Sequence, residues 1–151
     1  MLRSFALCAL ALLFPTIALA TEYRFEKQED GVTVTLDGQF FTKYLVKSGA
    51  KPILWPIIGA HGKEMTRGYP MREALESEKD DHDHHRSMWF THGDVNGISF
   101  WHESNPHGTI VHREFLELTE GESAIQRTRN DWLAPDGKRV CQDERTLTCR
   151  V

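Results

Sequence analysis

Residues 32–46 read VTVTLDGQFFTKYLV, and the Asp37-Gly38 pair at the centre limits the fold more than any other feature of the chain. Val32, Val34 and Leu36 alternate with polar neighbours, a period of two that suits a strand with one buried face and does not suit a helix. Asp-Gly tolerates the positive φ angles of a two-residue hairpin turn, so the run is expected to double back on itself. The same pattern recurs in NGISFWHE, GTIVHREFLEL, SAIQRTRNDWL and KRVCQDERTLTCRV, with the turn sequence APDG joining the last two. KPILWPIIG reads as a buried strand that Pro52 and Pro56 confine to an edge or an irregular course. A short helical piece is expected only at Met71–Lys79. The sum is one all-β domain over residues 21–151, an antiparallel β-sandwich. TLTCRV stops inside an alternating pattern, so the expectation is the N-terminal portion of a longer sandwich, truncated at the C-terminus.

Residues 1–20 differ from the rest. Arg3 precedes an apolar run from Phe5 to Phe14, and Ala18, Leu19 and Ala20 form an A-x-A-like cleavage site, the pattern of a secretory signal peptide. The apolar run is shorter than the roughly 20 residues a spanning helix needs. An exported protein, periplasmic or extracellular, is expected. Arg3 leaves with the peptide, so 17 basic side chains face 22 acidic ones in the remainder. That balance argues against a nucleic-acid partner and provides no polybasic membrane patch. Cys141 and Cys149, placed on one strand, stand about 26 Å apart and should remain separate thiols.

The chemistry concentrates in DHDHHRSMWFTHGDVNG, residues 81–97, which holds four of the chain's eight histidines, three aspartates and Arg86 around Met88, Trp89 and Phe90. Histidine and carboxylate are the side chains that exchange protons near neutral pH. His84 and His85 point to opposite sides of a regular strand, so both reach one site only if a loop or bulge leads into SMWFTHG. On that geometry His84 or His85 is the general acid/base, with His92 and Asp94 as a second proton-handling pair. Arg86 binds substrate oxygens, and Arg67, Tyr69, Asn96, His112 and Trp132 are further substrate contacts. Each also has a plainer reading: a solvated loop for the histidines, a turn for Asp94 to Gly97, core or sheet positions for Trp89, Phe90, Trp101, Trp132 and His112.

KPILWPIIG, MTRGYPM, DHDHHRSMWFTHGDVNGISFW, IVHREF and NDWLAPDGK occur in order, and together they resemble the PmoA-like family of exported bacterial proteins, a domain labelled "methane oxygenase PmoA". The resemblance covers roughly Val32 to the C-terminus. It implies a β-sandwich similar to galactose mutarotases and a small-molecule or oligosaccharide ligand. A membrane methane monooxygenase subunit needs several spanning helices, and residues 21–151 carry no run that could supply one.

Three functions follow as expectations. The first is acid/base chemistry on a sugar or glycoside, with no cofactor. The second is a metal-dependent enzyme, an oxygenase or lyase, in which the H-x-H-H run binds a divalent metal with a further ligand from His92, Glu103, His107 or His112. The third is a glycan-binding sandwich without catalysis. There is no G-x-S-x-G nucleophile elbow and no phosphate-cradling glycine loop.

Overall fold

The structure is a computed structural model that describes residues 21–150; the expected signal peptide lies outside the described residues. Eight strands form two antiparallel sheets. The first has the order β1 (Tyr23–Gln28), β2 (Gly31–Leu36), β3 (Gln39–Ser48), β4 (Lys51–Ile57) and β5 (Met88–Trp89). The second has the order β6 (Thr109–Thr119), β7 (Ala124–Leu133) and β8 (Arg139–Cys149). The chain is an all-β sandwich, and the sheets do not close into a barrel.

The hairpin expected at Asp37-Gly38 forms, with positive φ at both residues (51° and 76°), the geometry that lets two strands return without splaying. APDG closes the β7–β8 hairpin, where the Ala134 N–H donates to the Lys138 carbonyl at 2.8 Å. Cys141 and Cys149 sit on β8 as free thiols. KPILWPIIG becomes β4, and its proline-bearing side explains its pairing: β3 covers it along its length, while β5 bonds only at Ile53↔Trp89 and Leu54↔Met88.

Two expected elements are absent. Met71–Lys79 is not helical; the chain there winds around the Glu78 carboxylate, which accepts from the Gly68 N–H (2.8 Å), the Leu75 N–H (3.1 Å) and the Arg72 guanidinium (3.0 Å). A side chain has replaced the backbone ladder a helix would use. NGISFWHE is not a strand either. Asn96 and Gly97 both take positive φ in a tight turn bridged by Val95 and Ile98, after which Phe100 drops into the core.

The sheets meet through two apolar ends and a polar waist. Tyr23, Val34 and Ala124 pack at one end; Phe100, Ile110 and Trp132 pack at the other, with the Phe100 and Trp132 rings 4.8 Å apart. Between them the inner face of β7 presents Gln126, Thr128 and Asn130, all buried. Asp143 of β8 organises this waist, accepting from Asn130 Nδ2 (2.8 Å), Trp132 Nε1 (2.6 Å) and the Arg145 guanidinium (2.6 Å). Three donors rely on one carboxylate that is itself about four-fifths buried. Asp143→Ala is therefore expected to cost about 3 kcal/mol in urea unfolding, the range for stranding a buried charge, whereas Asp143→Asn, which keeps an acceptor, costs less.

Candidate functional site: a histidine cluster on a buried ion triad

Between β4 and β6 the chain makes a long excursion, residues 58–108, whose only strand is β5. Loops of this length without regular structure usually serve function, and this one is anchored by side chains. Its main anchor is Lys51, the first residue of β4, whose side chain is 0% exposed. The Lys51 ammonium donates to Glu103 Oε1 (3.1 Å) and to the Trp101 carbonyl (3.3 Å), and lies over the Trp89 ring 4.5 Å from its centroid. Arg86 grips the same carboxylate, Nε to Oε1 at 3.1 Å and a terminal nitrogen to Oε2 at 3.0 Å. Glu103 and Arg86 are 12% and 16% exposed. Gly49, with φ of 59°, lets them nest against the β3–β4 turn, because a Cβ there would collide with both side chains.

The imidazoles stand on this triad. The His84 and His85 rings lie 4.3 Å apart between centroids, His82 stacks on His85 at 5.1 Å, and His102 closes on His84 at 5.0 Å. Trp89 and Trp101 wall the group, 4.8 Å from each other and 6.3 and 6.2 Å from His85. His82 takes positive φ (51°) and the His85 N–H donates to its carbonyl at 2.9 Å, so a tight turn replaces strand alternation and lets His84 and His85 converge. Arg67 holds that turn from behind, donating to the carbonyls of Asp81 (2.6 Å) and His82 (2.8 Å) and to the Asp81 carboxylate (3.1 Å). Tyr69 lies under the Arg67 guanidinium, 5.6 Å away.

Burial pushes the His84 imidazole below its ordinary value, and His85, His102 and Lys51 push the same way. His85 is lowered by burial first and then by His82 and Arg67, against a smaller opposing pull from Asp81. Burial also lowers the Lys51 ammonium, opposed by Glu103, while Glu103 is raised by burial but held below the ordinary carboxylate range by Arg86 and Lys51. At neutral pH His84 and His85 are uncharged beside a charged triad.

His84, His85 and Arg86 are thus brought together as the sequence implied, with Arg67 and Tyr69 behind them. The other expected residues are engaged elsewhere. His92 and Asp94 make a turn of their own: the Asp94 N–H donates to His92 Nδ1 at 3.1 Å, and Asp94 Oδ1 accepts from the Gly97 N–H at 2.7 Å. Asn96 is an exposed residue of that turn. His112 points between the sheets and shares a hydrogen bond with the Tyr44 hydroxyl (3.2 Å); burial lowers this imidazole and raises the Tyr44 phenol to about 12. Trp132 is core, its indole tied to Asp143. Arg67 positions the loop, since its terminal nitrogens are filled by loop acceptors. Among the described residues, no three His, Cys, Asp or Glu side chains converge as a metal cage.

The sequence reading passed over Lys51 and His102, weighed Glu103 only as a metal ligand and took Trp101 as structural. A lysine at the head of a wholly apolar strand was the one available signal, because such a charge has to find a partner indoors. Two clefts lie near the triad, and none of the cluster's histidines lines either: one of about 220 Å³ is lined by Trp89 with Tyr44, Ile53, Phe90, Thr128 and Arg145, and one of about 330 Å³ by Gly49 and Ala50 with Ile110 and His112.

Fold and site together define an all-β sandwich that carries a histidine-rich loop site outside its sheets. Residues 31–151 match the family of unknown function DUF6807, and the chain belongs to that family. No curated protein and no solved structure matches it.

The lowered imidazoles make stability depend on pH in a definite direction. With folded values below the ordinary 6.5, the unfolded chain binds more protons in the window between the two, so stability is fully present above pH 6.5 and falls as the pH drops below it. Thermal unfolding followed by circular dichroism from pH 7.5 to 5 should show this loss. The double variant His84→Gln, His85→Gln should flatten the slope, leaving only the part due to His112.

Proposed function

We propose that this is an exported protein whose histidine cluster performs acid/base chemistry on a sugar, with His84 and His85 moving the proton. The observation that carries the reading is the pair of half-buried, uncharged imidazoles 4.3 Å apart, walled by two tryptophans and backed by the Lys51–Glu103–Arg86 triad. An uncharged imidazole is the base form at neutral pH. A positive charge on both rings would set two cations in contact beside Lys51, which disfavours double protonation of the pair.

That capacity suits reactions in which a proton is taken from one atom of the substrate and returned to another, such as opening and reclosing a sugar ring, epimerisation or elimination. Trp101 is partly exposed and offers an aromatic face suited to the C–H side of a pyranose. His102 stands at hydrogen-bonding reach of a ligand lying on that face, beside His84. The five motifs that resemble the exported PmoA-like proteins, with their mutarotase-like implication, point to the same substrate class.

Interconversion of sugar anomers and epimers, followed by NMR on a panel of aldoses, tests the reading. His84→Gln and His85→Gln should each lower the rate at least about a hundredfold, the usual worth of a positioned acid/base group, while sugar affinity changes little. Trp101→Ala should instead weaken affinity with the rate at saturation nearly kept. Undiminished turnover in the double histidine variant overturns the assignment; binding with no turnover in the wild type establishes a glycan-binding module.

A further inference from the structure

Charge and hydrogen bonding around the triad say more about the ligand than its class. Resting on the sugar reading above, we propose that the sugar taken by this site bears a carboxylate, a uronic acid, which docks on the outer edge of the Arg86 guanidinium.

The first support is an unequal charge count. Lys51 and Arg86 share a single buried carboxylate, Glu103. Arg67 is matched by Asp81, and Asp83, near His84, is 70% exposed so that solvent screens its charge. One positive charge remains in a half-buried place, on a protein whose overall charge is negative. An anionic ligand would balance that excess.

The second support is the guanidinium itself. Arg86 directs Nε and one terminal nitrogen at Glu103, while its other terminal nitrogen has only a long contact, 3.4 Å to Ser48 Oγ. An arginine cannot shed its proton and presents a planar fork that fits a carboxylate. The unfilled edge belongs to the same side chain that holds Glu103, so it is fixed in place before a ligand arrives. His84 and His85 immediately precede Arg86 in the chain, so a sugar whose carboxylate rests on this edge lies beside the histidine turn.

A consequence distinguishes this ligand from a neutral sugar. Lys51 lowers the His84 imidazole, and a carboxylate bound beside it opposes that field. Anion binding then raises the imidazole pKa, and the complex takes up a proton near pH 6.5.

Isothermal titration of the wild-type protein with methyl glucuronide, methyl glucoside and acetate, in two buffers of different ionisation enthalpy, decides the matter. The expected result is a glucuronide affinity at least about tenfold above both other probes, weakened by salt, with proton uptake on binding. Arg86→Gln should bring the glucuronide down to the glucoside's affinity; the wild-type comparison holds even if that variant folds poorly. Equal affinity for the two glycosides overturns the carboxylate assignment and leaves the sugar reading standing. Acetate binding as tightly as the glucuronide, or no binding of either glycoside, overturns both.

Discussion

The end of the long excursion, where Trp89, Trp101 and Glu103 meet the sheet, hangs from the buried Lys51 ammonium. Removing a lysine from water costs several kcal/mol, and the cost is tolerable only because carboxylate, carbonyl and aromatic face surround the ammonium at once. Those partners come from Glu103, Trp101 and Trp89, all in the excursion between β4 and β6, whereas Lys51 belongs to the sheet. One ion therefore ties three separated points of a strand-poor stretch to the sheet, while Arg67 and Glu78 order the part before them. Arg86 completes the lock from a fourth point, and the histidines lie between the locked points in the chain.

The same charges that hold the loop set its chemistry. Burial is the larger influence that lowers His84 and His85, and Lys51 adds to it, so the anchor of the structure helps to keep both imidazoles in their base form. On the sugar reading, the triad thus plays two parts from one position: it holds the loop and biases the proton equilibrium, while leaving one terminal nitrogen of Arg86 with only a long contact.

The fold was legible because its signals are local. Alternation and the Asp37-Gly38 and APDG turns are decided within a few residues, and they mark six of the strands and two of the hairpins. The two elements that were misread failed for a shared reason: Glu78 caps three groups across ten residues, and Phe100 leaves its pattern to reach Trp132, so tertiary partners outweighed local preference. The site was half legible. A crowded run of histidines announces itself, and strand alternation requires a loop or bulge before SMWFTHG if His84 and His85 are to meet; the structure supplies it as a turn at His82. Lys51, Trp101 and Glu103 lie up to 52 residues apart, and no spacing rule joins a lysine in a strand to a glutamate in a distant loop. His92 and Asp94 were drawn in by nearness in sequence, yet their hydrogen bonds are satisfied within their own turn.

Strand register ties these levels together. β5 is only two residues long, and its pairing of Ile53 with Trp89 and Leu54 with Met88 decides which side chain meets Lys51. A slip of one residue would turn Trp89 to the opposite face and bring Met88 or Phe90 to the ammonium, removing the strongest cation–π acceptor and one wall of the histidine cluster. So short a strand cannot fix its own register by backbone bonds. The choice must be made by the side chains, with the Lys51–Trp89 contact and the Trp89–Trp101 packing favouring one alignment. The buried ion that orders the loop therefore also selects the pairing that closes the first sheet, and site and fold settle in a single step.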